Sequence, residues 1–201
     1  MVDMRRQLNE SDLLRMKLPK SYWECTFDGI AEENQEIILN YLRKVLSNDI
    51  NGVGFLFWGD NGRGKTGILS VIGKEFKRNG YQVLFLEASD IKRIVMKDIQ
   101  FDDMVSIWDR ARDVTVLLLD DLGKGVMDNT GFGARLIDEL IRHRTSENLV
   151  TLISTNMTPE QMLMDFKKST IHSLKSKIIP VQILGDDKRE GLKEELITMF
   201  F

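Results

Sequence analysis

The sequence predicts an α/β fold of three layers, in which helices cover both faces of a mainly parallel five-stranded sheet. Three observations point to it. Five short, mostly apolar segments recur along the chain, at residues 53–58, 82–86, 115–119, 149–154 and 178–184. Helix-length stretches separate them. The loop after the first segment, Gly59-Asp60-Asn61-Gly62-Arg63-Gly64-Lys65-Thr66, is rich in glycine and opens directly into a helical pattern. Strands apolar on both faces need cover on both, and parallel neighbours need crossovers, which the intervening helices supply.

The elements follow in order. Residues 1–17 form a short N-terminal segment with a helix over 8–17, stopped by Pro19. Residues 18–52 comprise a lead-in and a first helix. The lead-in, from Leu18 to Phe27, reads as extended chain anchored by Tyr22, Trp23 and Phe27. The helix over 31–47 carries Ile37, Ile38, Tyr41, Leu42, Val45 and Leu46 at helical spacing, before an Asn51-Gly52 turn. Residues 53–201 form the core of what is a single domain overall. Within it a helix over 64–79 closes at Asn79-Gly80, and Ser89-Asp90 caps a helix to about Lys97. Helices follow over 101–112 and 131–145, the second turning Leu136, Ile137, Leu140 and Ile141 inward. Pro159 opens a further helix at a position where proline is tolerated, and the last helix covers 187–199.

Composition removes several function classes. With 28 basic and 31 acidic residues the net charge is −3, so any nucleic-acid contact must use a local patch. A single cysteine, Cys25, excludes a disulfide framework, and two histidines, His143 and His172, leave little for a histidine metal site. The apolar runs are too short to span a membrane, and the start MVDMRRQLNESD lacks the apolar stretch of a secretion signal. The cytoplasm is the expected compartment.

The loop from Gly59 to Thr66 matches G-x-x-x-x-G-K-[ST] in full. Its glycines let backbone N–H groups turn inward round an anion, and the following helix offers its positive end to the same phosphates. Lys65 is the residue to reach the β and γ phosphates, and the Thr66 hydroxyl the one to bind Mg²⁺. The anion-binding stretch is read as Gly59, Asp60, Asn61, Gly62, Arg63, Gly64, Lys65, Thr66 and Gly67. The apolar strand over 116–119 ends in Asp120-Asp121. Strand alternation sends the two carboxylates in different directions, Asp120 to the Mg²⁺ ion and Asp121 to the attacking water as base. The strand Leu152-Ile153 exits through Ser154-Thr155-Asn156. If it lies beside the loop strand, the Asn156 amide orients that water.

The ordered set of phosphate loop, Leu119-Asp120-Asp121-Leu122-Gly123, Ser154-Thr155-Asn156 and Gly185-Asp186-Asp187-Lys188-Arg189 resembles the AAA+ ATPases of the DnaC/DnaI helicase-loader group and their IstB transposition-helper relatives. The likeness covers about residues 18–190. It implies a three-layer αβα P-loop NTPase (AAA+) core with the loop strand near the middle of the sheet. It also implies ATP with Mg²⁺ as cofactors, head-to-tail homo-oligomers, single-stranded DNA contact and a hexameric replicative helicase as partner, or a transposase in the IstB case. On this resemblance Asn156 matches the sensor-1 residue. Arg189 matches the arginine of the C-terminal motif, which touches phosphate or a neighbouring subunit. Two departures stand out. The stretch before Leu18 is too short for the separate helicase-binding domain of known loaders. Ser169 and Ser173 occupy the places where the family carries arginines after the sensor strand, so hydrolysis is expected to be slow or partner-activated. Lys175 and Lys177 are point-charge substitutes at best. The readings are an ATP-dependent helicase loader first, an IstB-like transposition helper second, and a nucleotide-dependent adaptor with little hydrolysis third.

Several further residues carry two readings each. Lys167, Lys168, Lys175 and Lys177 with His172 form either a basic contact face or a solvated helix face. Arg142 and Arg144 suit a helix C-terminus, Arg144 with an interaction role besides. His143 and His172 are taken as well-separated surface residues. Met157, Met162 and Met164 either fill core or line a contact surface.

Overall fold

The structure is a computed structural model and describes residues 6–47, 52–100, 106–123 and 131–185, the side chains of 99 and 100 excepted. Among the described residues five strands form one sheet: β1 (Gly54–Trp58), β2 (Val83–Glu87), β3 (Val116–Asp120), β4 (Val150–Thr155) and β5 (Ile178–Gln182). Their order is β2-β3-β4-β1-β5, and every neighbouring pair is parallel. The loop strand β1 is internal but one place off centre, since β4 holds the middle. Each parallel step is bridged by helix, as the apolar-strand pattern requires.

The helices are α1 (Glu10–Arg15), α2 (Glu32–Leu46), α3 (Lys65–Arg78), α4 (Ile91–Gln100), α5 (Ile107–Asp113), α6 (Phe132–Ser146), α7 (Pro159–Asp165) and α8 (Lys168–Lys177). Side-chain parity divides the core. Phe55, Phe57, Phe85, Leu118 and Leu152 face α2 and α3 on one side of the sheet. Leu56, Leu84, Leu117, Leu119 and Ile153 face α4 to α8 on the other. Fully burying each such side chain contributes roughly 1.5–3 kcal/mol. Contact is close where glycine permits it. A Cβ on Gly73 of α3 would lie 2.4 Å from Leu118 Cδ1, and one on Gly54 would lie 1.8 Å from the Thr151 carbonyl oxygen.

Both sheet edges are protected. The outward Phe85 N–H of β2 donates to the Met16 carbonyl at 2.7 Å, so the N-terminal segment covers that edge. Asn9 caps α1 in a capping box with Asp12, which also takes the Arg6 guanidinium through both oxygens at 2.7 and 2.8 Å. At the far edge β5 carries Pro180, a residue tolerated where no ladder partner is needed.

Some expectations change. The lead-in is not extended but makes two 3-10 turns, Lys20–Tyr22 and Phe27–Gly29. Tyr22, Trp23 and Phe27 pack it against the core, and the Trp23 ring N–H donates to the Leu18 carbonyl at 2.8 Å. The helix expected over 101–112 starts at Ile107, with 101–105 outside the described residues. The helix expected over 187–199, and with it Arg189, also lies outside them. Of the methionines, Met157 and Met162 are core, whereas Met164 is 83% exposed.

Arg144 is a structural clamp rather than a surface contact. Its side chain is fully buried and makes five hydrogen bonds. They go to the carbonyls of Ala111, Arg112, Val114 and Val150 and to the Thr151 hydroxyl, at 2.7–3.0 Å. The guanidinium thereby ties the C-terminal carbonyls of α5 to β4. Burial pulls it down to about 9, so it stays charged at neutral pH.

Candidate functional site

The loop between β1 and α3 is built to enclose an anion. Gly59, Gly62 and Gly64 adopt φ of 144°, 82° and 83°, conformations that side chains disfavour. A Cβ on Gly59 would also press on the Ile183 carbonyl at 2.9 Å. Gly64 precedes the first turn of α3, and the leading N–H groups of a helix face the chain before it. Lys65 is 8% exposed and donates to the carbonyls of Gly59 and Asp60 at 2.8 and 2.6 Å. Arg63 binds the Gly185 carbonyl and pairs with Asp60 at 3.0 Å, which fastens the loop to the chain beyond β5. Asn61 is exposed at the loop tip.

The second half of the site comes from the ends of β3 and β4. Asp120, the last residue of β3, is 7% exposed, and the Thr66 hydroxyl lies 2.9 and 3.1 Å from its two oxygens. That contact brings together residues 54 positions apart. The Ser154 hydroxyl donates to the same carboxylate. Burial raises the Asp120 carboxyl above its ordinary value, and the two hydroxyl bonds oppose that rise. Asp121 departs from strand geometry altogether. Its φ is 52°, and this left-handed turn, rather than simple alternation, sends its exposed carboxylate away from Asp120. There it accepts a hydrogen bond from Asn156 Nδ2 at 2.9 Å. The condition set for Asn156 is met, since β4 pairs with β1 up to Trp58 and Thr155. Lys65, Thr66, Asp120, Asp121 and Asn156 all line one cleft of about 590 Å³, a volume suited to a nucleotide-sized ligand.

The cleft's far wall is the lead-in, through Tyr22, Cys25 and Thr26. A buried cation holds this wall in place. Lys74 of α3 donates to the carbonyls of Tyr22, Trp23 and Cys25, and burial lowers its pKa. Sequence reasoning missed Lys74, Ser154 and Glu87. Glu87 ends β2 in register with Asp120 and lines the same cleft. An acid ending an apolar strand beside Asp120 was the available signal for it. Lys74 sits on the buried face of α3 and left no local signal.

The donor set suits a magnesium nucleotide. Loop amides and Lys65 match phosphate, while a hydroxyl and a carboxylate at hydrogen-bond distance match a hard cation. Among the described residues no group of three or more His, Cys, Asp or Glu could hold a metal by itself. His143 and His172, expected far apart, line one groove of about 560 Å³ between α6 and α8. His143 lies 3.0 Å from Asp113. Asp138 and Ser173 line the same groove, and Asp138 accepts hydrogen bonds from Ser169 and Thr170 at 2.9 and 2.8 Å. Lys167, Lys168, Lys175 and His172 are exposed on α8 or at its start. No helix among the described residues is long and apolar enough to cross a membrane.

Known proteins share this fold. The replicative helicase loader DnaI of Bacillus subtilis is 26% identical over 118 residues, 59% of this chain and 38% of that protein. This chain spans 38% and 55% of the curated relatives it matches. The crystal structure of the DnaC helicase loader superposes with a TM-score of 0.70 at 20% identity, over 83% of this chain and all of that one. The replication initiator DnaA bound to AMPPCP and single-stranded DNA gives 0.66 at 21%, over 88% and 56%. The fold is thus that of AAA+ P-loop ATPases. Like DnaI and DnaC in fold, the chain is a DnaC/DnaI-like AAA+ protein; the model of the bacterial DnaA ATPase domain matches residues 24–177, over three quarters of the chain, and on that match the chain belongs to this family.

Proposed function

We propose that the chain is an ATP-dependent replication factor that loads a replicative helicase onto single-stranded DNA. The observation that carries the nucleotide half is the Thr66–Asp120 hydrogen bond, which joins the phosphate loop to the acidic end of β3. The helicase half rests on likeness to the loader DnaI. In this reading the loop amides from Gly59 to Gly67 and the Lys65 ammonium bind the phosphates of ATP. Thr66 and Asp120 hold Mg²⁺, which when bound neutralises phosphate charge. Asp121 takes a proton from the attacking water, and Asn156 fixes the direction of that carboxylate. Arg189 remains proposed for phosphate or a neighbouring subunit. ATP binding favours an assembled state that grips DNA, and hydrolysis releases it. The exposed lysines of α8 are the proposed contacts for the DNA backbone. The proposed compartment is the cytoplasm, where such partners are found.

A nucleotide-dependent adaptor with little hydrolysis is the second reading. What favours it is serine at 169 and 173, where a neighbour's arginine would stabilise transition-state charge. An IstB-like transposition helper differs in partner, a transposase, and in preference for duplex over single-stranded DNA. Capture from source-cell lysate separates them. The bait is the Asp121→Asn protein with ATP, compared with Lys65→Ala. Helicase recovered with the first and lost with the second is expected. A transposase, or no replication protein, overturns the loader reading.

A further inference from the structure

We infer that Ser154 is a positioning residue that holds the cation carboxylate and the water carboxylate as one unit; the inference rests on the nucleotide reading above. Ser154 is the last residue but one of β4 and is 2% exposed. Its hydroxyl donates to Asp120 Oδ1 and accepts the Asp121 N–H at 2.9 Å. A hydroxyl has one proton and lone pairs to accept with. The carboxylate takes the proton and the amide takes the lone pair, so the direction of both bonds is set. Asp120 is held with an oxygen on Ser154 while both its oxygens stay within reach of Thr66.

The same bonds do work that the sheet ladder cannot. The β3–β4 ladder ends at Leu119 and Ile153. Just beyond it Asp121 turns left-handed, a conformation that non-glycine residues disfavour. Three bonds from two residues of β4 hold that turn. Ser154 Oγ accepts from the Asp121 N–H, the Ser154 carbonyl accepts from the Leu122 N–H at 2.8 Å, and the Thr155 hydroxyl donates to the Leu122 carbonyl. The turn is what aims Asp121 at Asn156. A displacement of Asp120 therefore moves Ser154 Oγ and with it the Asp121 amide. The hydroxyl thus couples the Asp120 carboxylate to the backbone that carries and aims Asp121.

Ser154→Ala removes both side-chain bonds at once, and Ser154→Thr keeps the hydroxyl. The test is calorimetric titration of ATP into wild type and both variants, in EDTA and with Mg²⁺, alongside turnover and amide hydrogen exchange at Asp121. With Ser154→Ala, binding in EDTA is expected to match wild type. The affinity gained on adding Mg²⁺, and kcat/KM for Mg-ATP, are expected to fall about 10–100-fold, the usual effect of removing a partner that orients a metal ligand. Exchange at the Asp121 amide is expected to speed up, and Ser154→Thr to restore all three. A Ser154→Ala protein that keeps the Mg²⁺ gain and the turnover overturns the inference. So does one that has lost ATP binding in EDTA, which marks a merely structural role. A wild type that binds no ATP under either condition overturns instead the nucleotide reading on which the inference rests.

Discussion

Replacing Asp120 by asparagine should stabilise the folded protein while disabling its site. Asp120 is 7% exposed and its oxygens meet two hydroxyls, from Thr66 and Ser154. Asparagine satisfies the same geometry. Its carbonyl oxygen can accept from Ser154, and its amide can donate to Thr66 Oγ, a hydroxyl that both donates and accepts. What disappears is the cost of burying a charge, which is the cause that raises this carboxyl. Removing such a functional-site penalty commonly gains about 1 kcal/mol, or roughly 2–4 °C in Tm for a chain of this size. The pH dependence has a definite sign. Because the folded-state pKa is raised, the folded state holds more protons than the unfolded between the ordinary and the raised value. Wild-type stability from this group falls as pH rises through that window, so the variant's advantage is largest at neutral pH and fades on acidification. Thermal unfolding of both proteins in EDTA from neutral to acidic pH reads it. A variant less stable than wild type at neutral pH would show that the carboxylate is net stabilising and refute the reasoning.

Other consequences follow from particular contacts. Arg144→Lys leaves several of five buried acceptors unpaired and should cost about 3 kcal/mol, lowering Tm by about 6–12 °C; an unchanged Tm removes the clamp. Gly73→Ala gains helix propensity of about 1 kcal/mol but sets a methyl 2.4 Å from Leu118, so net destabilisation of about 1–2 kcal/mol is expected in urea unfolding. Cys25 lines the cleft, so ATP with Mg²⁺ should slow its alkylation severalfold, measured by mass spectrometry. Lys74→Met, by loosening the lead-in wall, should speed alkylation of the free protein.

What the sequence revealed and what it hid have physical causes. The five strands and the phosphate loop are local in origin. An apolar run, a glycine at positive φ and a helix start are each written within a few residues. Asp120, Asp121 and Asn156, which the structure gathers at one cleft, are legible as candidates because they sit at strand exits, where parallel α/β sheets place ligands. The site's supporting bonds were hidden because each joins distant segments. Lys74 reaches residues about 50 positions away, and Arg144 bonds both its own neighbourhood and α5. Spacing along the chain misled for the histidines, since α6 and α8 pack side by side and close the gap between 143 and 172. The position of β1 beside β5 rather than at the centre depends on strand order, which apolar patterning does not encode.

This cleft is proposed to bind a magnesium nucleotide through Lys65 and the Thr66–Asp120 pair. Calorimetric titration of ATP with Mg²⁺ into the wild type and Lys65→Ala addresses it most directly. Trp58, which ends β1 beside the loop, gives a parallel fluorescence signal. Saturable binding of one ATP per chain is predicted. The loss of one charge-assisted contact should weaken it by about 10–100-fold in the variant. Absence of binding to the wild type, or equal binding to both proteins, would contradict the account.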